Sequence, residues 1–123
     1  MKLKKILKTT RKWAEKQADE FPLDYGEDLS GLCAVASKKL YKKLKANGFN
    51  CELAYNDRHC FVLHNKHRVI DITASQFGLG RINVFTLHDN IEDGHHWVIK
   101  KTFTDVDELS DYQIERGWYD EQI

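Results

Sequence analysis

At Gly48 the hydrophobic period of this chain changes, and no other feature of the sequence limits the fold so strongly. Before it, apolar residues recur at helical spacing; after it, they form short alternating or continuous runs. Leu3, Ile6, Leu7, Trp13 and Ala14 share one side of the first stretch, ringed by Lys4, Lys5, Lys8, Arg11 and Lys12, which predicts an amphipathic helix over 3–17. Pro22 and Gly26 then punctuate a loop. Ser30 is a suitable N-cap for a second helix over 31–47, with Cys33, Val35 or Ala36, Leu40 and Leu44 inward and Gly48 as its stop. Lys38, Lys39, Lys42, Lys43 and Lys45 form the outer side of that helix.

Beyond Gly48 the segments 51–55, 59–63 and 69–72 read as strands, with Asn65 and Lys66 in a hairpin turn between the last two. A further strand over 97–103 is expected after a turn at Glu92, Asp93 and Gly94. Thr104 or Asp105 can then cap a last helix over 106–114, ending before Gly117. Helices followed by an antiparallel sheet define an α+β architecture, N-terminal helices packed on the sheet, as a single domain over 1–123.

A chain of 123 residues with 41% hydrophobic content can bury a core. Nineteen Lys and Arg balance nineteen Asp and Glu, which argues against nucleic acid as a partner. The zero total hides a dipole: residues 1–48 carry twelve positive and six negative groups, and 49–123 carry seven and thirteen. The lysines either solvate the two helices or form a basic patch that docks an acidic protein partner or membrane surface. No apolar run approaches the roughly 18–20 residues of a membrane span, and the basic start lacks the apolar stretch of a signal peptide, so a cytoplasmic location is expected. Cys33, Cys51 and Cys60, an odd number without CxxC spacing, fit reduced thiols.

The chain orders Cys33, His59 and Asp71. Cys33 falls in the first turn of the second helix, where unpaired backbone N–H groups and the helix dipole favour a thiolate, the nucleophilic form. His59 opens a strand and can serve as base or imidazolium partner, while Asp71 on the next strand can fix its tautomer. A three-residue loop at His64, Asn65 and Lys66, centred on Asn65, would place His59 directly opposite Asp71. A two-residue loop would instead pair Cys60 with Asp71 and make Cys60 the alternative nucleophile; otherwise Cys51 and Cys60 are packing residues. His59, Cys60, His64, His67, His95 and His96 lack the spacing of a metal clamp, and no cofactor is implied. Trp97, Trp118 and Tyr119 read as core and C-terminal anchors, Trp97 also as a wall of an active-site cleft.

Gly31-Leu32-Cys33 opening a helix, His59 before an apolar strand, and Val69-Ile70-Asp71-Ile72-Thr73 twelve residues after that His together resemble the core of the transglutaminase-like superfamily, within the papain-like fold. The resemblance covers roughly residues 28–77. It departs from the common pattern in its short Cys-to-His interval and in the Cys60-Phe61 pair after the His. The resemblance implies Cys33 as nucleophile, His59 as base and Asp71 as its orienter. It also implies acyl transfer through a thioester on a peptide or protein substrate, as protease, deamidase or cross-linking transferase. The Cys33 backbone N–H is the natural first oxyanion donor. A second falls to the 25–29 loop or to a side chain the sequence leaves unassigned. The other reading is a catalytically inactive papain-like module that binds a protein partner.

Overall fold

The computed structural model describes residues 2–26, 29, 31–87 and 94–117. Helix α1 spans Leu3–Glu20 and buries Ile6, Leu7, Ala14 and Ala18 on one side. It runs past Gln17 because Ala18 still packs inward. It ends at Phe21, where the following Pro22 disfavours helical backbone. Arg11, expected in the solvated ring, is buried among these apolar neighbours.

Helix α2 spans Cys33–Ala46. Its start differs from the expectation of a Ser30 cap: Leu32 holds the N-cap position without a side-chain cap bond, and Ser30 lies outside the described residues. The entry is set by backbone instead. Leu29 and Gly31 are left-handed, at φ 70° and 84°, and the Leu32 N–H donates to the Leu29 carbonyl at 3.1 Å. Leu29 and Leu32 are both fully buried, which anchors this tight entry and makes Cys33 the first helical residue. Of the two inward alternatives, Ala36 is buried and Val35 only partly so. At the other end Gly48, at φ 83°, and Phe49 donate back to Lys45 and Leu44, a Schellman stop that the glycine permits.

The five described strands are β1 Cys51–Asn56, β2 His59–His64, β3 Arg68–Asp71, β4 Asn83–Thr86 and β5 Lys101–Phe103. They form one antiparallel sheet in the order β4-β3-β2-β1-β5. The short edge strand β4 carries only brief apolar character, and the sequence did not announce it. The expected strand over 97–103 is shorter than foreseen: Trp97 ends a 3-10 turn, Gly94–Trp97, and β5 begins only at Lys101. Glu92 and Asp93 of the expected turn lie outside the described residues. Helix α3, Val106–Glu115, is capped by Asp105, whose carboxylate accepts from the backbone N–H of Asp107 at 2.7 Å and of Glu108 at 3.3 Å.

The β2–β3 register corrects the expected one. Val62 pairs Ile70, Leu63 pairs Val69 and His64 pairs Arg68, so the loop is Asn65, Lys66 and His67, centred on Lys66. Asn65 and Lys66 are both left-handed, at φ 51° and 64°, and His67 donates back to the His64 carbonyl at 3.3 Å. His67 is thus one extra residue after a tight turn, and the move of the loop centre from Asn65 to Lys66 shifts the pairing by two along β3. Because the shift is even, His59 and Asp71 keep the same side of the sheet but stand diagonally rather than directly opposite.

Both sides of the sheet are covered. Leu53, Tyr55, Cys60, Val62 and Ile70 pack on the helices with Ile6, Leu40, Leu44 and Leu109. Ala54, Phe61, Leu63 and Val69 pack on Ala74 and Trp97, flanked by Phe77 and Phe85. This two-sided burial explains why β2 reads as a continuous apolar run rather than an alternating one.

Candidate active site

Asp71 is the most heavily hydrogen-bonded group of the site. Its Oδ1 accepts from the Thr73 backbone N–H at 2.8 Å and from Thr73 Oγ1 at 3.2 Å. Its Oδ2 accepts from His59 Nε2 at 2.6 Å and from the Trp97 indole N–H at 2.9 Å. Burial alone pushes this carboxyl up, but the bond and charge of His59, then Thr73 and Trp97, hold it below its ordinary value. A carboxylate that receives four donors is an acceptor only. Nε2 of His59 therefore carries the proton, and Nδ1 is the nitrogen left for chemistry.

His59 is fully buried, with Phe61 stacked at 5.8 Å and Phe77 edge-on at 4.9 Å. Burial disfavours its charge, yet the Asp71 bond and the neighbouring Cys33 raise it to about 9. Nδ1 makes no well-formed hydrogen bond among the described residues, although the ring and the Cys33 thiol lie close enough to shift each other.

Cys33 stands at the first position of α2 and is only 6% exposed. Its thiol is held well below the ordinary range, first by a hydrogen bond from the Cys60 side chain, then, against desolvation, by His59 and the Cys60 backbone. Cys60 is pushed up by the same neighbour. The structure thus brings Cys33, His59 and Asp71 to one end of β2 and adds Cys60 beside the sulfur. Cys51, 2% exposed at the far end of β1, is not part of the group and is raised by burial.

Two further residues touch this group and a third braces the chain beside it. Trp97 binds Asp71 from the 3-10 turn, beyond the packing role expected of it. Gln113 of α3 is fully buried and donates to Cys60 Sγ at 3.0 Å; its four-residue spacing from the buried Leu109 was the available signal. Arg11 Nη1 donates to the Ile72 carbonyl at 2.7 Å and to Ser75 Oγ at 2.9 Å, bracing the segment that follows Asp71.

A cleft of about 530 Å³ lies at the β1–β2 turn, lined by Tyr55, Asp57, Arg58, Arg116 and Gly117. It adjoins His59 in sequence, but none of the three site residues lines it. Asp57 there is held at about 2 by hydrogen bonds from Lys100, Arg116 and Tyr55. Among the described residues no three of His, Cys, Asp and Glu gather to hold a metal ion, and no helix is long and apolar enough to cross a membrane. Comparison of the chain with known protein families, with curated proteins and with solved structures finds no match.

Proposed function

We propose that this protein is a small papain-like, transglutaminase-like cysteine enzyme that transfers or hydrolyses the acyl group of a peptide or protein amide. The observation that carries the reading is His59 Nε2 at 2.6 Å from a buried Asp71, with the Cys33 thiol beside the ring at the start of a helix. In this scheme the Cys33 thiolate attacks the amide carbonyl carbon. The first-turn N–H groups of α2 receive the oxyanion. The C–N bond breaks as His59 Nδ1 gives its proton to the leaving amine, and a thioester remains. Water or an amine then attacks the thioester, losing its proton to Nδ1, and the thiolate departs. We place the protein in a reducing compartment, the cytoplasm, on the strength of three free cysteines.

The depth of the site favours a second reading. Cys33 is 6% exposed and His59 not at all, so a peptide reaches the sulfur only if covering side chains move. An inactive papain-like module would instead bind an acidic protein through α1, where Lys4, Lys5, Lys8 and Lys12, with Lys2 just before the helix, are exposed and join no ion pair among the described residues.

Alkylation of the native protein with iodoacetamide at neutral pH, followed by peptide mapping, separates the two. Exposure alone ranks Cys33 ahead of Cys51 and Cys60, so the deciding arm is His59→Gln. The enzyme reading expects Cys33 to react first and to slow at least tenfold in that variant. An unchanged Cys33 rate would leave the module reading in its place.

A further inference from the structure

The helix that carries Cys33 is fastened to β2 at Cys60. Ser37, one turn further along α2 on the same side as Cys33, donates its hydroxyl to the Cys60 carbonyl at 3.1 Å. The Cys60 thiol and backbone lie close enough to the Cys33 sulfur to favour its charged form. Gln113 Nε2 lies 3.0 Å from the Cys60 sulfur, so both α2 and α3 hold Cys60. Cys33 and Cys60 are both free, lie in one buried cluster, and are drawn together by the Ser37 bond one turn along α2, the setting in which two thiols can join.

We infer that Cys33 and Cys60 are a peroxide-responsive pair, in which Cys33 is oxidised and Cys60 resolves it as an intramolecular disulfide. The Cys33 thiolate attacks one peroxide oxygen, the O–O bond breaks, and the departing hydroxide takes the proton of the His59 imidazolium to become water. Cys60 then attacks the sulfenic sulfur. The S–S bond forms, the S–O bond breaks, and the Cys60 proton leaves with the hydroxyl as a second water. Two thiols lose two electrons and one hydrogen peroxide is reduced to two waters.

Size favours a small oxidant. A thiol that is 6% exposed is reached most readily by a molecule little larger than water, and Cys60, with no exposure, reacts through Cys33. The charge of Cys33 is also what holds the Cys60 proton in place; once Cys33 is a neutral sulfenic acid that restraint is gone. Resolution protects Cys33 from the irreversible sulfinic state. The pairing requires only a thiolate beside a thiol, so it does not depend on acyl transfer.

The test uses the full-length reduced protein treated with hydrogen peroxide and analysed by intact mass and non-reducing peptide mapping. The expected product has lost two hydrogens, links the Cys33 and Cys60 peptides, leaves Cys51 free and reverts with dithiothreitol. The Cys51→Ala protein should behave identically. In Cys60→Ser, Cys33 should instead gain one oxygen as a sulfenic acid, captured by dimedone present as the protein is unfolded. Formation of sulfinic Cys33 in the unaltered protein without the link, a link through Cys51, or no oxidation at Cys33 would each overturn the proposal. Failure here with a normal His59→Gln effect on alkylation would leave the acyl-transfer reading standing, and the converse result would remove that reading alone.

Discussion

The indole N–H of Trp97 reaches Asp71 Oδ2 at 2.9 Å, the same oxygen that receives His59 Nε2. The 3-10 turn that carries Trp97 is therefore tied by a polar bond to the dyad, as well as by packing against Phe77 and Phe85. One carboxylate oxygen is shared between the side chain that would do chemistry and one that holds the wall of the site.

Trp97→Phe keeps most of the aromatic packing and deletes the donor. A buried carboxylate that loses one hydrogen bond costs about 1.5–3 kcal/mol, to be read from urea unfolding at neutral pH. Asp71 has a lowered folded value, so its contribution is present above the unfolded value of 3.8 and is lost as pH falls through the folded one. Removing a donor raises the folded value. Acid unfolding followed by circular dichroism should then begin at a higher pH than in the parent; an unchanged acid midpoint would reduce Trp97 to packing.

His59 gives a window on the alkaline side. Its folded value of about 9 stands above the ordinary 6.5. Stability from its charged pairing is fully present below 6.5 and disappears as pH rises through 9. The expected loss across that window is on the order of 3 kcal/mol at most, since one pH unit corresponds to about 1.4 kcal/mol. Urea unfolding across the window checks it; in a Cys33→Ser background, which removes the opposing titration of the thiol and the part of the shift that Cys33 supplies, the loss should be smaller and end at a lower pH. The slope should flatten in the His59→Gln double variant.

The order of elements, the α2 stop at Gly48 and the Asp105 cap were legible because each rests on a local signal: a period, a glycine, a carboxylate before a helix. The common side of His59 and Asp71 was legible for the same reason, since side-chain alternation needs only the parity of the loop. The register was not, because whether the third loop residue precedes or follows Asn65 and Lys66 leaves no mark in the pattern. Nor was the burial of Arg11, a residue type that is solvated on most amphipathic helices. Its partners are carbonyls of Ile72 and Arg81, far along the chain, and backbone acceptors have no sequence signature. Gln113 and Trp97 were missed as polar contacts because their partners, Cys60 and Asp71, are likewise long-range.

Gly31→Ala tests the backbone entry to α2. The residue sits at φ 84°, and an added Cβ would meet the Asp24 carbonyl oxygen at 3.3 Å. Left-handed strain and this tight contact together cost roughly 1–2 kcal/mol. A shifted helix start also moves Cys33 away from the first position. Thiolate absorbance at neutral pH, ascribed to Cys33 by its loss in Cys33→Ser, should fall in Gly31→Ala. A stability loss with full thiolate absorbance would show that the turn at 29–32 does not set the state of Cys33.

Arg11 connects α1 to the segment that carries the dyad. Its Nη1 supplies the Ile72 carbonyl at 2.7 Å, Ser75 Oγ at 2.9 Å and the Arg81 carbonyl at 3.2 Å, while Nε meets Glu15 at 3.2 Å. Arg11→Met retains an apolar stem and removes every donor, leaving the buried Ile72 carbonyl unsatisfied, so a loss of roughly 2–4 kcal/mol is expected in urea unfolding. Glu15→Gln serves as the control. Its carboxylate is one-third exposed and its pairs with Arg11 and Arg81 lie partly in solvent, so that change should cost about 1 kcal/mol or less. Ile72 stands between Asp71 and Thr73, whose N–H and hydroxyl hold Asp71 Oδ1. Backbone drift in Arg11→Met should therefore weaken Asp71 as an acceptor and bring the His59 titration, followed by nuclear magnetic resonance, down from about 9 toward 6.5. A destabilised variant with an unmoved His59 titration would confine Arg11 to joining α1 and the sheet.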